Sequence, residues 1–293
     1  MQYRLNVSQF EIEKFLNLKI SKNGIVVSNI CSYVHPRERS LLFINNNKMP
    51  VEHLKGCIIF CPKDYDLFQG ENVLLKVNDP KFAFSKIISQ FARRKFKQGF
   101  IHSNVEIGEG CVIGDYVSIG AGTKIMNNVV ISPGVCIGSS CYIKSGAVIG
   151  EEGFGMVLND CGMPERVLHL GSVLIGDHVE IGSNCTIASG SIDDTRIENF
   201  VKIDDQVHVA HNCIIHSGAI ITAGVVLSGG VEVGSRAWIG PNSTIIQRTK
   251  IGEKALIGIG GVVTSDIKSS QTVMGFASMP MRALSKALKK ILD

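Results

Sequence analysis

The chain has 293 residues, of which 45% are hydrophobic and 19% charged, a balance that allows a sizeable core and about two domains. Its formal net charge of +4 is mild and no block is rich in Lys and Arg, which argues against nucleic acid as a partner. The first residues lack the long apolar run of a signal peptide, and no run of about 18 uncharged apolar residues indicates a membrane span. Nine scattered cysteines fit reduced thiols in the cytoplasm better than a disulfide framework.

Residues 1–98 predict a small α/β domain. Ser8-Gln9-Phe10-Glu11 has the pattern of a capping box, followed by an apolar helical stretch that ends near Leu18. Asp79-Pro80 opens a second helix. Between the two helices, the apolar runs 41–44, 57–61 and 73–77 are typical of strands.

From residue 107 onward an aliphatic residue recurs every six positions, beginning with Ile107, Ile113 and Ile119 and continuing to Val263. The next residue is often Gly, and the fourth residue after the aliphatic one is small or β-branched. A period of six fits one short strand plus a turn, and three such sides close a triangular coil of 18 residues. We therefore predict that residues 99–266 form an all-β left-handed parallel β-helix rather than a sandwich, whose turns come about every 8–12 residues.

The six-residue register breaks twice, between Ile149 and Ile175 and between Ile187 and Ile197, where four residues are added. Insertions in a solenoid leave the coil as surface loops, often at the binding face. We therefore expect Gly153–Leu170 to be an excursion near an active cleft.

Residues 267–293 are predicted to be a C-terminal extension with a short amphipathic helix over residues 279–293. Its apolar positions are Met281, Leu284, Leu288 and Ile291, with basic residues largely opposite. This pattern fits packing within a trimer, and it also fits the docking of an acidic carrier protein.

Three segments resemble a known family. KIDDQVHVAHNC at 202–213 and GEEGFG at 150–155, together with the hexads, resemble UDP-3-O-acylglucosamine N-acyltransferase of lipid A synthesis. SLLFINNNK at 40–48 resembles that family's uridine-binding strand and loop. The resemblance extends over nearly the whole chain.

The resemblance implies a cytoplasmic homotrimer that moves a (3-hydroxy)acyl group from acyl carrier protein to the 2-amine of UDP-3-O-acyl-glucosamine. It implies no cofactor and no metal, because the acyl thioester is itself a co-substrate. By the same resemblance, His211 is the catalytic base, Asp204 the acid residue associated with it, and Gly229 the oxyanion-binding glycine. Gly229 also lies one 18-residue coil after His211.

Further substrate contacts are expected outside this catalytic set. Phe43 and Asn46 match the family's uracil-contacting positions, although Phe43 could equally be a core residue and Asn46 a turn residue. His208, Asn212 and Arg248 are expected to line the substrate site. The chain departs from the family pattern at Met49, where the family has Tyr, at Arg248, where it usually has a second His, and in its shorter C-terminal tail.

The chemistry of amide formation from a thioester agrees with this assignment. It needs a base for the attacking amine, donors for the tetrahedral oxyanion and a groove for the thioester arm. Histidine is suited to the base at neutral pH. An outward-pointing His211 at a corner of the prism could serve this purpose, and it could also be an ordinary surface histidine.

Three alternatives remain open from the sequence. A nucleotide-amino-sugar N-acyltransferase that uses a short acyl-CoA fits the departures at Met49 and Arg248. A zinc-dependent hydratase on the same fold needs His208, His211 and His216 as ligands. A non-catalytic scaffold or a degenerate paralogue that binds sugar nucleotide without turnover has the same repeats.

Overall fold

The computed structural model describes residues 2–19, 24–68, 70–95 and 97–275. From Ile101 to Val273 the chain forms the predicted left-handed parallel β-helix, whose three faces are parallel sheets of very short strands. Neighbouring strands within a sheet come from successive coils, so that Val209 pairs with Leu227 and Ile215 with Val233.

The three faces are named here the first, second and third sheets. The first sheet contains Val112–Ile113, Val130–Ile131, Val148–Glu152, Thr186–Ser189, His208–Val209, Val226–Leu227, Thr244–Ile245 and Val262–Val263. The second contains Ser118–Ile119, Cys136–Ile137, Val173–Ile175, Thr195–Ile197, Ile214–Ile215, Glu232–Val233 and Lys250–Ile251. The third contains Glu106–Ile107, Lys124–Ile125, Tyr142–Ile143, Glu180–Ile181, Lys202–Ile203, Ile220–Ile221, Trp238–Ile239, Leu256–Ile257 and Thr272–Val273.

The aliphatic column fills the interior of the prism. Its members from Ile119 to Val263 are buried in one continuous core, and the cysteines of the small-residue column, such as Cys185 and Cys213, are buried among them. The first coil is different, because no earlier coil covers it, and Ile107 is 46% exposed. Burial of each coil therefore depends on the coils on both sides of it.

The N-terminal region has the two predicted helices, α1 (Gln9–Phe15) and α2 (Pro80–Phe91). Ser8 and Glu11 form the predicted capping box, and Asp79 caps α2. A four-stranded parallel sheet contains the three predicted strands as Ser40–Phe43, Ile58–Pro62 and Val73–Val77, and adds Asn29–Ile30 at its edge. Two antiparallel pairs complete the region, Val7–Ser8 with Val26–Val27 and Gln2–Arg4 with Arg93–Lys95.

The long insertion joins the two parts of the chain. It forms an antiparallel hairpin, Met156–Leu158 with Pro164–Arg166. Val157, Val167 and Leu170 of this excursion are buried in the same apolar cluster as residues of α1 and α2. Because it completes the core of the N-terminal region, the excursion attaches that region to the β-helix.

The end of the solenoid differs from the predicted boundary at residue 266. Ile267 bridges to Ile251, and Thr272–Val273 pairs with Leu256–Ile257 in the third sheet, so the coil continues beyond this boundary. The predicted helix over 279–293 lies outside the described residues. Within the described residues, no helix is both long and apolar enough to cross a membrane.

A charged cluster lies across the second sheet. His216 contacts Glu198 through Nδ1 at 3.0 Å and Glu232 through Nε2 at 3.2 Å, and Lys250 contacts Glu232 at 3.0 Å. Burial alone lowers the pKa of His216, but its hydrogen bonds to Glu232 and Glu198 outweigh burial and raise the pKa above its ordinary value. Both ring nitrogens can donate only in the imidazolium form, so the two carboxylates favour protonation of His216.

This cluster predicts a loss of stability as the pH rises. Because the pKa of His216 is higher in the folded chain than in the unfolded one, its stabilising effect is complete below about pH 6.5 and is lost as the pH rises through the folded pKa. Urea midpoints measured from about pH 6 to about pH 9 should therefore fall more for the native chain than for His216→Gln. Parallel midpoint curves for the two proteins contradict this prediction.

Candidate active site

Both insertions leave the β-helix at one corner, where the first sheet turns into the second. The first follows the strand Val148–Glu152, and the second follows Thr186–Ser189 in the next coil. His211 occupies the same corner one coil later, after the strand His208–Val209. Val209 is fully buried in the prism, and its inward position leaves His211 in the turn, half-buried beneath the two insertions.

One side of the His211 ring is held by its neighbour in the chain. Nδ1 of His211 lies 3.0 Å from Oδ1 of Asn212. Asn212 itself is in the left-handed region, with φ of 60°, which asparagine tolerates better than most residues. Asn212 therefore both adopts the backbone conformation that the turn requires and contacts the imidazole of His211.

The second insertion fixes the direction of the Asn212 amide. Oδ1 accepts hydrogen bonds from the backbone N–H and the hydroxyl of Ser191, at 3.1 and 2.7 Å. Nδ2 donates to the carbonyl oxygen of Asp193 at 2.8 Å. Since Oδ1 can only accept, Nδ1 of His211 must be the donor, and in the neutral ring the lone pair is then on Nε2.

Gly229 lies over the face of the His211 ring, at its Nε2–Cε1 edge. A Cβ atom at this position would be 2.7 Å from both Nε2 and Cε1 of His211, so the ring sits where any larger residue would place its side chain. The two residues are one coil apart, and Gly230 donates its N–H to the carbonyl oxygen of His211 at 2.8 Å. Among the described residues, no acceptor takes the N–H of Gly229. The corner thus brings together a base and a backbone donor.

Two other predicted residues lie near this corner. His208 points outward from the first sheet, and its Nδ1 is 2.6 Å from the hydroxyl oxygen of Thr186. Partial burial of the ring disfavours its charged form and lowers the pKa of His208, and the nearby His211 lowers it further. Arg248 is exposed, and it follows Gly230 by one coil, with Cγ 3.5 Å from the position of a Gly230 Cβ.

The first insertion adds a residue that sequence reasoning did not identify. His169 is fully buried, and its ring packs edge-on against that of His211, with 5.6 Å between centroids. Gly153 and Gly155 make room for the pair, since a Cβ at Gly153 would be 2.9 Å from Cβ of His211 and one at Gly155 would be 2.6 Å from Cε1 of His169. The two glycines of the GEEGFG segment were the sequence signal that another group packs closely there.

Asp204 lies at a different corner, where the third sheet turns into the first. It is exposed, and within the described chain its carboxylate makes no hydrogen bond or ion pair with His211. In a single chain the residue that holds the imidazole is Asn212. The role expected for Asp204 stays a prediction.

Phe43 and Asn46 lie in the N-terminal region. Phe43 ends its strand half-buried, and its ring is 5.0 Å from that of Phe84, so it contributes to the core. Asn46 is exposed in the following loop and accepts a hydrogen bond from the backbone of Lys48. Both residues are at the carboxyl end of a parallel strand, where open α/β sheets bind ligands.

The three histidines considered as metal ligands do not converge. His216 is held by two carboxylates on the second sheet, whereas His208 and His211 belong to the first. In the described ranges, no group of three potential ligands among His, Cys, Asp and Glu is placed to bind a metal.

Gly229→Ala should displace the His211 ring and break its hydrogen bond to Asn212, because the new methyl group occupies the space of Nε2 and Cε1. We expect a changed ¹⁵N signal pattern for the imidazole. We also expect an unfolding free energy within about 1 kcal/mol of the native value, since only a half-buried side chain has to move. Ser228→Ala in the adjacent position is the control. An unchanged His211 spectrum would contradict the packing described here.

Comparison with known proteins identifies the family. Residues 116–151 and 194–229 match the bacterial transferase hexapeptide (six repeats) family. A UDP-3-O-acylglucosamine N-acyltransferase from Campylobacter lari is 34% identical over 307 aligned positions, which cover 96% of this chain and 96% of the relative. A relative of the same name from Campylobacter curvus is 31% identical over 144 residues. This alignment covers 49% of this chain and 45% of that protein.

Solved structures share the fold. LpxA from Acinetobacter baumannii has a TM-score of 0.55 and 26% identity, over 67% of this chain and 75% of that one. The UDP-N-acetylglucosamine acyltransferase of Francisella novicida has a TM-score of 0.56 and 25% identity, over 66% and 71% of the two chains. With near-complete coverage of the Campylobacter lari relative, the chain belongs to the UDP-3-O-acylglucosamine N-acyltransferase family and is an enzyme of the acyltransferase class.

Proposed function

We propose that this enzyme transfers a 3-hydroxyacyl group from acyl carrier protein to the 2-amine of UDP-3-O-acyl-glucosamine, a step of lipid A synthesis. The observation that carries the proposal is the pairing of His211 with Gly229. The ring of His211 packs on Gly229 of the next coil, and the N–H of Gly229 has no acceptor among the described residues. The names of the relatives supply the substrate class.

In the proposed mechanism, the amine nitrogen attacks the carbonyl carbon of the thioester, and Nε2 of His211 takes the proton that the nitrogen loses. The N–H of Gly229 donates to the oxyanion of the tetrahedral intermediate. When the C–S bond breaks, the imidazolium returns the proton to the leaving thiolate. The Nδ1–H bond to Asn212 keeps the ring in the tautomer that can accept on Nε2.

Asn46 and Phe43 are proposed to hold the uracil, with Asn46 supplying hydrogen bonds and the partly exposed edge of Phe43 an apolar contact. His208 and Asn212 line the sugar side of the site. No cofactor is needed, because the thioester supplies the activated acyl group. The exposed Arg248 near Gly230 is suited to bind a phosphate, such as that of the phosphopantetheine arm of the donor.

The proposal includes a homotrimer, with the cleft completed by a neighbouring subunit, and a cytoplasmic location. All nine cysteines are free thiols, which supports a reducing compartment.

The rival donor, a short acyl-CoA, is favoured by one observation. Arg248 places a fixed positive charge beside the site, and such a charge suits the additional phosphates of CoA.

A turnover assay tests the reaction. Purified protein is given UDP-3-O-acyl-glucosamine or other UDP-amino sugars, each with acyl carrier protein thioesters of several lengths or with acyl-CoA. We expect amide product from UDP-3-O-acyl-glucosamine and a carrier-protein donor. Turnover with short acyl-CoA alone supports the rival, and no product with any pair rejects acyl transfer to these amines.

His211→Ala should lower kcat by about 10²-fold or more, because the attacking amine loses its general base. KM for the amino sugar should change little, since the loss concerns the transition state. His102→Ala, in the first coil and away from this corner, is the matched control. Equal rates for the native chain and His211→Ala would remove His211 from the mechanism.

Arg248→Ala should raise KM for the acyl donor roughly tenfold, because a hydrogen bond to a charged group contributes about 1.5 kcal/mol. kcat should stay within about twofold, since this contact forms equally in the ground and transition states. Lys268→Ala, also an exposed cation in the last coils, serves as the control. A reduced kcat with unchanged KM points to a different role.

A further inference from the structure

We propose that His35 is a positioning residue for His211. Its contact with Asp193 lets the N-terminal region hold the second insertion, 190–194, in the place where that insertion orients Asn212. This inference rests on the function proposed above, because it concerns the orientation of the proposed base.

The first contact crosses between the two parts of the chain. Nδ1 of His35 lies 3.3 Å from Oδ2 of Asp193, and the two side chains are 57% and 33% exposed. Ile192, next in the insertion, packs against the apolar cluster of the N-terminal region. An exposed pair of this kind contributes little to overall stability. The effect that we assign to it is therefore on geometry, as one of the contacts that restrain this short loop.

The second contact reaches the base. The carbonyl oxygen of Asp193 accepts from Nδ2 of Asn212, and Oδ1 of the same amide contacts Nδ1 of His211. The insertion is also tied to the first one, through Leu170 N–H to Ser191 O at 2.8 Å and Ser172 N–H to a carboxylate oxygen of Asp194 at 2.8 Å. A displacement of Asp193 therefore changes the partner that fixes the Asn212 amide.

The third contact reaches the proposed nucleotide loop. His35 follows the strand Asn29–Ile30, and the loop with Asn46 follows the adjacent parallel strand Ser40–Phe43, so both leave the same edge of the sheet. The two loops are joined by Tyr33, whose hydroxyl donates to the carbonyl oxygen of Pro50 at 2.9 Å. The contacts thus run from the loop of Asn46 through Tyr33 and His35 to Asp193.

These contacts join a substrate-binding loop to the catalytic ring without passing through the β-helix core. Contiguous contacts become coupling only when a change at one end alters the other. The experiment therefore alters His35 and reads the state of His211, both directly and through turnover.

The key comparison is His35→Ala against His35→Asn. The amide Nδ2 of asparagine stands where Nδ1 of histidine stands, so His35→Asn keeps an N–H group beside the Asp193 carboxylate and His35→Ala removes it. We expect His35→Ala to lower kcat about tenfold, with KM for the amino sugar within about twofold, because a misplaced catalytic group costs rate. His35→Asn should recover to within about twofold of the native rate. Glu38→Gln, in the same loop and without an ion pair to a described residue, is the control.

A second readout does not depend on turnover. Long-range ¹H–¹⁵N spectra of the imidazole report which nitrogen of His211 carries the proton. We expect the Nδ1–H form to lose population in His35→Ala and to return in His35→Asn. Asp193→Ala should match His35→Ala, and the double variant should lose no more than either single one, since all three break one contact.

An unchanged kcat and an unchanged His211 spectrum in folded His35→Ala would overturn the proposal and leave the packing of Ile192 to hold the insertion. Additive losses in the double variant would also overturn it. If the native chain acylates no amino sugar, the proposed function fails, and the His211 spectra of His35→Ala and His35→Asn still decide the positioning role.

Discussion

The structure depends on the stacking of one inward aliphatic residue on its equivalent 18 positions later. Pairs such as Val209 with Leu227 are fully buried, and away from the two insertions the backbone hydrogen bonds between coils follow the same register. A shift by one residue would turn the aliphatic column outward, so the register is strongly specified. That rigidity places the half-buried His211 beside Gly229 of the next coil.

A regular solenoid repeats the same corner many times, and the corner of His211 differs from the others through two irregularities. The insertions after Val148–Glu152 and Thr186–Ser189 both lie next to His211. The first supplies His169 and part of the core of the N-terminal region, and the second supplies the partners of Asn212. The stacking therefore sets where His211 is, and the insertions set how its ring is oriented.

The repeat made the fold predictable, because burial in a β-helix is periodic in sequence and the column from Ile107 to Val263 records it. The capping box at Ser8 and the Asp79 cap were equally local signals and are confirmed. His169, Asp193 and His35 were not predicted, because their roles depend on loops that leave the repeat and meet only in space. Asn212 was predicted to line the substrate site. The contact of its amide with the ring of its neighbour is a geometry that spacing alone does not contain.

The orientation of His211 can be traced to a single atom type. Nδ2 of Asn212 is a donor and meets the carbonyl of Asp193, so Oδ1 faces the imidazole and leaves Nε2 as the acceptor in the neutral ring. A carboxylate in place of the amide could not donate to that carbonyl and would repel it. The amide therefore does two things at once. Its Nδ2 holds the second insertion on the coil, and its Oδ1 selects the tautomer of His211 that can remove a proton from an amine. A carboxylate could do only the second.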